Sequence, residues 1–207
     1  MTGYRTVRAA ADAEFLERKS RFIGHVAPVS TEAEALAFIE RISKEHREAS
    51  HNVFAYLLRE GSLSRCSDNG EPQGTAGVPS LDVLQKAGLT DVCAVVTRYF
   101  GGTLLGTGGL VRAYSHAVSI AVEAAGIRCM EPCTEIQVVC AYPFYGKLSY
   151  LLPDFRAQTL ASDFGERVTL GLLLRSDRLE GFQKELTELS NGQVSAAILG
   201  ERFAEME

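Results

Sequence analysis

Residues 98–114 read RYFGGTLLGTGGLVRAY, and this stretch decides how the first part of the chain folds. Before it comes the apolar run Val92–Val96, which predicts a buried strand. After it, the apolar spacing of residues 110–125 predicts a long helix. Five of the nine residues at positions 101–109 are glycine, so a glycine-rich loop joins a buried strand to a helix.

A glycine-rich loop in this position has two interpretations. Its free backbone N–H groups and the positive end of the following helix together favour an anion. Alternatively, the glycines permit tight turns and close packing of the helix on the strand. The loop is not a P-loop, because Thr107-Gly108 stands where Lys-Ser or Lys-Thr is required, and G-x-G-x-x-G is absent as well. Both interpretations stay open.

Arg112 falls in the first turn of the predicted helix, where a cation opposes the helix dipole by about 0.3–1 kcal/mol. Such a charge indicates a negative partner, either an external phosphate or a carboxylate of this chain. The anion or RNA site that we predict here combines the two arginines and the loop glycines, with two tyrosines in support: Arg98, Arg112, Gly101, Gly102, Gly106, Gly108, Gly109, Tyr99 and Tyr114.

A second unusual segment, residues 67–79, reads SDNGEPQGTAGVP, and its many turn-forming residues predict irregular structure. Asp68 and Glu71 lie three positions apart with Thr75 close by, and paired carboxylates suit Mg²⁺ or acid–base chemistry. However, neither G-x-S-x-G nor H-E-x-x-H occurs, and no nucleophile–base pair is evident. We therefore expect binding without catalysis, and we expect Asp68 or Glu71 to face Arg98 or Arg112.

The run Lys19-Ser20-Arg21-Phe22 places two cations beside an aromatic ring. This pattern suits a phosphate or RNA contact, but a short charged turn or strand edge without a binding role explains it more simply. We include Lys19 and Arg21 in the predicted anion or RNA site.

Composition limits where an RNA contact can lie. The chain has 207 residues and a net charge of −5. Residues 1–130 carry 14 basic and 14 acidic side chains, whereas residues 131–207 carry 7 and 12. Neither part has the overall positive charge that non-specific nucleic-acid binding requires. Any RNA contact is therefore expected to be local.

Cysteine usage and the N-terminal sequence indicate the compartment. The five cysteines are an odd number, which fits reduced thiols. Cys129 and Cys133 have a spacing that suits a metal or two ordinary apolar thiols, but no second Cys/His pair lies close in sequence. The first 22 residues lack the apolar core of a signal peptide. We expect a cytoplasmic protein with no cofactor, metal site or membrane association.

The order of predicted elements indicates an α+β protein of two domains. Up to residue 130 the pattern gives strands, a helix capped by Thr31 and Glu34, further strands and the long helix. The apolar face of the capped helix is assigned to Leu36, Ile39 and Ile42. From about residue 134 the order becomes βαββαβ, the ferredoxin-like arrangement, and its last helix is expected to stop at Asn191-Gly192. We place the domains at 1–130 and 131–207, and expect limited proteolysis to separate them at residues 125–135.

At these segments the sequence resembles the IMPACT family, most closely its bacterial YigZ branch. The resembling motifs are residues 19–23, 67–79 and 98–114, and the match extends over nearly the whole chain. Where some relatives carry a second Asp, this chain has Asn69, which weakens a role that needs three carboxylates.

The resemblance implies both a fold and a function. The N-terminal domain is expected to share the fold of a ribosomal protein's second domain and of domain IV of elongation factor G. The C-terminal domain is expected to resemble domain V of that factor. Eukaryotic IMPACT proteins regulate translation by binding proteins. The resemblance thus implies a translation-associated, ribosome-associated or RNA-binding protein whose partner is the ribosome, RNA or a translation factor. The alternative is a small-molecule enzyme or sensor that binds phosphate at residues 101–109.

Overall fold

The computed structural model describes residues 2–206, which contain five α-helices and ten strands in an α+β arrangement. The chain divides into two compact units. The first unit is Tyr4–Arg128, and the second runs from Cys129 onward together with the first residues of the chain. Within the described residues, no helix combines the length and apolarity needed to cross a membrane.

The first unit is built on an antiparallel sheet in the order β2-β3-β6-β4-β5. Its elements, in chain order, are β1 Tyr4–Val7, β2 Ala11–Glu17, β3 Ser20–Pro28, α1 Glu32–Glu45, β4 His51–Leu58, β5 Leu63–Ser67, α2 Gly77–Lys86, β6 Val92–Tyr99 and α3 Thr107–Ala125.

Helices cover both faces of this sheet. Val92, Ala94 and Val96 of β6 pack in the same cluster as residues of α2 and α3. Cys93 and Val95 pack in a second cluster with residues of α1. Because both faces are covered, the strand is apolar at consecutive positions, which is the pattern that predicted a buried strand.

A tight turn and a close approach of a helix to a strand position the elements around the glycine-rich loop. The turn between β2 and β3 consists of Arg18 and Lys19, which both have positive φ, as a type I′ hairpin turn requires. A Cβ on Gly24 of β3 would lie 2.2 Å from the carbonyl oxygen of Ala117 in α3. Glycine at position 24 therefore lets the long helix lie directly on the central strands.

Three details of the first unit differ from the sequence-based expectation. Helix α3 begins at Thr107, so Arg112 lies in its second turn and not in its first, and it opposes the dipole less than predicted. Helix α2 begins at Gly77, inside the stretch predicted to be irregular. Thr31 caps α1 as predicted, but Leu36, assigned to its apolar face, is 52% exposed.

In the second unit the element order is βαββαβ, as predicted. The elements are β7 Ile127–Cys140, α4 Tyr142–Asp154, β8 Gln158–Phe164, β9 Val168–Arg175, α5 Leu179–Ser190 and β10 Ala196–Ala204. The strands pair antiparallel in the order β10-β7-β9-β8. Helix α5 ends at Asn191 in the left-handed conformation, the stop signal that the Asn-Gly pair predicted.

Candidate functional site

The two unusual segments meet at a buried ion pair in the first unit. Glu71 Oε1 accepts hydrogen bonds from Arg98 Nη1 at 2.6 Å and from the hydroxyl of Tyr114 at 2.7 Å. Both partners of the ion pair are nearly completely buried. Burial, and then the hydrogen bond to Glu71, raise the pKa of Tyr114, so its phenol remains a neutral donor. The prediction that Asp68 or Glu71 faces Arg98 or Arg112 is confirmed for Glu71 and Arg98.

Aromatic rings hold the Arg98 guanidinium in place. Its central carbon lies 5.4 Å from the ring centroid of Phe22 and 5.4 Å from that of Phe100. Its Nη2 reaches Ser20 Oγ at 3.4 Å, while Nε is buried and has no hydrogen-bond partner among residues 2–206. A guanidinium is less strongly hydrated than an ammonium, and it stacks on aromatic faces. Its Nε–H group can therefore be buried among these rings at a lower cost in desolvation.

His51 contributes a third polar side chain with a defined orientation. Its Nδ1 lies 2.8 Å from the carbonyl oxygen of Asn69, and its Nε2 lies 3.8 Å from Glu71 Oε1. A carbonyl oxygen can only accept, so Nδ1 carries the hydrogen. In the neutral imidazole, Nε2 therefore presents a lone pair.

Asp68 holds the loop that carries Glu71. Its carboxylate accepts backbone hydrogen bonds from Gly74 at 2.8 Å, Ala76 at 3.0 Å and Gly77 at 2.8 Å. Burial alone would raise the pKa of Asp68, but these three donors outweigh it and lower the pKa below its ordinary value. Thr75 closes the same loop by donating to the carbonyl oxygen of Pro72 at 2.6 Å. In the structure, Asp68 and Thr75 shape the loop.

An open cavity of about 400 Å³ lies beside the ion pair. Its polar lining comes from His51, Glu71 and Arg98, together with Thr107 at the start of α3. Its remaining lining residues are apolar or glycine: Pro72, Phe100, Leu104, Leu105, Gly106 and Leu110. Leu104 is 80% exposed and Phe100 is 47% exposed, so the rim of the cavity is apolar.

The loop glycines serve different purposes. A Cβ on Gly101 would lie 2.0 Å from the backbone of Lys19, and one on Gly109 would lie 2.9 Å from the Leu105 side chain. A side chain at either position would therefore clash with its neighbours, so close packing requires glycine at both. Gly102 and Gly106 have positive φ and open space around them, so their requirement is conformational. Gly108 has neither constraint, with only Arg112 Nη1 at 3.7 Å from a Cβ built there.

The other predicted site residues lie outside this cavity. Arg112 is exposed and lines a second cavity, of about 250 Å³, with Glu17 and His116. Lys19 is exposed in the β2–β3 turn. Arg21 donates from Nε to Glu14 Oε2 at 3.0 Å. Tyr99 lies next to Arg98 along the strand, and its hydroxyl is 2.9 Å from His46 Nδ1.

Sequence reasoning missed a line of hydrogen-bonded polar side chains that crosses four strands. It consists of Asp12 in β2, His25 in β3, Thr97 in β6 and Asn52 in β4. His25 Nδ1 lies 2.8 Å from Asp12 Oδ1, and His25 Nε2 lies 3.3 Å from Thr97 Oγ1. This order of groups resembles an activated nucleophile. However, Thr97 is fully buried and its hydroxyl donates to Asn52 Oδ1 at 2.7 Å. Burial also lowers the pKa of His25, although Asp12 opposes that change. The line stabilises the sheet and offers no reachable nucleophile.

The CxxxC pair differs in exposure. Cys129 is exposed, whereas Cys133 is buried and its Sγ lies 3.4 Å from the carbonyl oxygen of Glu131. Burial is the main cause that raises the pKa of Cys133. Across residues 2–206, no group of three or more His, Cys, Asp and Glu side chains is arranged to hold a metal ion.

The fold and site define a two-unit α+β protein whose two glycine-containing motifs meet at a buried Glu–Arg pair. The family model described as the Impact N-terminal domain matches residues 18–122, and a domain of unknown function (DUF1949) matches residues 138–193. The chain belongs to the IMPACT family.

Individual relatives agree with this assignment. The IMPACT family member YvyE of Bacillus subtilis is 40% identical over 191 residues, which are 92% of this chain and 88% of that protein. The IMPACT family member YigZ of Escherichia coli is 35% identical over 187 residues, 89% of this chain and 92% of that protein. Protein IMPACT of Xenopus laevis is 33% identical over 96 residues, which are 44% of this chain and 30% of that protein.

A solved structure titled "Crystal structure of an hypothetical protein" is similar over most of the chain. The TM-score is 0.62 with 32% sequence identity, and the match covers 97% of this chain and 98% of that one. The resemblance inferred from the motifs is thus confirmed at the level of the family.

Proposed function

We propose that this protein is a non-catalytic binding protein that regulates translation in the cytoplasm by contacting the ribosome, RNA or a translation factor. The observation that carries the proposal is the meeting of the two motif segments at Glu71 and Arg98. These two charges satisfy each other, so their contribution is to fix the shape of the surrounding surface. Phe100 and Leu104, two and six positions after Arg98, are left exposed on that surface.

An anion contact at the start of α3 supports the same proposal. Gly106 is the N-cap of this 19-residue helix, no side chain caps it, and its first turn contains no acidic residue. The first backbone N–H groups and the positive end of the dipole are therefore available to a phosphate of RNA. Arg112, one turn further along, adds an exposed cation to this surface.

Co-sedimentation with ribosomes tests the proposal. We expect the protein to sediment with ribosomes at low salt, and Arg112→Ala to weaken binding by about 1–3 kcal/mol if the contact is a charge-assisted hydrogen bond. Arg41→Ala is the matched control, because Arg41 is an exposed helical arginine on α1. Equal binding by wild type and both variants would show that this surface makes no such contact.

A second candidate function is a sensor or enzyme for a small phosphate-bearing molecule. The observation that favours it is that Gly106 and Thr107, at the start of α3, line the cavity beside Arg98. Calorimetric titration with nucleoside monophosphates distinguishes this candidate from a ribosome contact. Nucleotide binding without ribosome sedimentation would favour the sensor.

The fold assignments implied by the resemblance remain proposals. We propose that residues 131–207 form a ferredoxin-like domain, and that residues 1–130 share the fold of elongation factor G domain IV. Because β7 spans Ile127–Cys140, a protease meets a strand at the boundary. The sharper test is therefore the folding of a fragment that begins at residue 129, monitored by its amide NMR spectrum.

A further inference from the structure

We propose that the cavity beside Glu71 binds a neutral small molecule that has an apolar body and one N–H or O–H donor group. This site goes beyond the ribosome contact proposed above, because the ligand is recognised by Glu71, His51 and the apolar lining, and not by the backbone N–H groups at the start of α3. Its volume of about 400 Å³ lies within the range of about 300–1,000 Å³ that is usual for small-molecule sites.

The apolar body follows from the walls of the cavity. Leu105 and Leu110 are almost fully buried in the core and form a fixed wall. Phe100 and Leu104 are exposed at the rim, where a bound molecule would cover them. Covering apolar surface contributes about 25 cal/mol per Å², so a ring or branched chain that contacts all four residues is favoured.

The donor group follows from the atoms that the polar residues present. Glu71 Oε1 is occupied by Arg98 and Tyr114. Glu71 lines the cavity although only 3% of its side chain is exposed, and within the described residues its hydrogen bonds from Arg98 and Tyr114 both go to Oε1. Oε2 is therefore the carboxylate oxygen that is left to accept a hydrogen bond from a molecule in the cavity. In neutral His51, Nε2 is a second acceptor, because Nδ1 donates to Asn69.

The neutral charge of the ligand follows from Arg98. The ion pair already balances the negative charge of Glu71, with 2.6 Å between Nη1 and Oε1. A cationic ligand would meet the guanidinium as a like charge, and an anionic ligand would place its oxygens against the two acceptors. Desolvating either ion costs more than desolvating a neutral amide or hydroxyl. A neutral donor satisfies the acceptors without that cost.

Three probes of the same shape test this inference on the full-length protein. Benzamide, acetophenone and benzoate differ only in an amino, a methyl or an anionic oxygen next to the carbonyl. Titrations followed by NMR of the leucine methyl groups report binding through shifts at Leu104, Leu105 and Leu110. We expect benzamide to bind about tenfold more tightly than acetophenone, because acetophenone leaves the acceptors unpaired. We expect benzoate to bind no better than acetophenone.

Amino-acid substitutions test whether the probe binds in the cavity. Leu104→Ser should weaken benzamide binding severalfold, whereas Leu16→Ser should not, since Leu16 is 73% exposed but does not line the cavity. Glu71→Gln should remove most of the preference for benzamide over acetophenone. If Glu71→Gln does not fold, the three probes on the wild-type protein still decide the question.

Three outcomes would overturn the inference. Equal affinity for benzamide and acetophenone would show that no acceptor is presented. Tighter binding of benzoate would show that the cavity prefers anions, as expected if a phosphate site extends into it. Absence of leucine shifts with all three probes would show that the cavity is not a binding site. Ribosome sedimentation is a separate measurement, so failure here leaves the translation proposal standing, and the reverse is also true.

Discussion

Arg98 Nη1 lies 2.6 Å from Glu71 Oε1, although the two residues are 27 positions apart and both are buried. The pair joins the end of the central strand β6 to the loop before α2. A buried charge that loses its partner is strongly unfavourable, so this contact ties the positions of two surface segments to the stability of the unit.

Removing one member of this pair should destabilise the protein strongly. We expect Glu71→Ala to lower the free energy of unfolding by about 3–5 kcal/mol, because Arg98 remains buried without its carboxylate. Glu14→Ala removes the exposed partner of Arg21 and should cost less than about 1 kcal/mol. Urea denaturation of both variants measures the difference. Similar losses for the two variants would contradict the assignment of Glu71 as a buried ion-pair partner.

The Asp68 carboxylate should make stability depend on pH. Its pKa is lower in the folded protein than the ordinary value of 3.8, so its stabilising contribution is complete above that value. The contribution is lost as the pH falls through the lower folded-state pKa, because protonation then weakens the three backbone hydrogen bonds.

Asp68→Asn should accordingly lower stability at neutral pH by about 1.5–3 kcal/mol and flatten its decline in acid. Unfolding free energies measured from about pH 7 to about pH 3 test both effects. Asp82→Asn is the control, because the Asp82 side chain is half exposed and pairs with Lys86 on the same helix. A decline in acid that is as steep in Asp68→Asn as in the wild type would argue against this role.

Alanine substitutions should separate the roles of the loop glycines. Gly101→Ala should cost at least about 2 kcal/mol, because its Cβ would lie 2.0 Å from the Lys19 backbone, which cannot move freely. Gly108→Ala should be neutral or should stabilise α3 by up to about 1 kcal/mol, because the position is helical and open. Thermal melting of the two variants measures whether their effects on stability differ in this way. Equal melting temperatures would mean that Gly101 is not a packing position.

The cysteines should differ in reactivity. Cys93 is fully buried, and burial raises the pKa of its thiol to about 12, so almost no thiolate forms near neutral pH. Cys129 is exposed. In native protein at about pH 8, a disulfide reagent should label Cys129 first and leave Cys93 unlabelled until unfolding. Mass spectrometry of the labelled peptides identifies the order, and early labelling of Cys93 would show that its cluster opens readily.

Local sequence signals predicted most of the elements well. Three features depend only on residues that are close in sequence, and the structure contains all of them. They are the buried strand at Val92–Val96, the helix cap at Thr31 and the helix end at Asn191–Gly192. The start of α3 was harder to predict. Three glycine or threonine residues with poor helix propensity precede Leu110, yet they are helical because the packing of Leu110 and Leu105 holds the first turn.

The site was predicted only in part for a related reason. The charges indicated that Asp68 or Glu71 faces Arg98 or Arg112, because buried charges need partners, but they could not select Glu71 and Arg98. They could not indicate that Arg112 lies toward Glu17 and His116, since that depends on where α3 begins. Nor could they place Leu104 and Phe100 at a cavity rim, because exposed apolar residues in a loop have no period in the sequence.

The closed loop held by Asp68 has an evolutionary consequence. Its carboxylate joins residue 68 to residues 74, 76 and 77, so the number of residues in between is fixed by hydrogen bonds at both ends. An insertion there would displace Glu71 from Arg98. The turn at Gly61 and Ser62 is exposed, and within the described part of the chain no side-chain carboxylate closes it in this way. Changes in chain length should therefore accumulate there instead. Related sequences should therefore keep a constant spacing between Asp68 and Gly77 while varying freely in the β4–β5 connection.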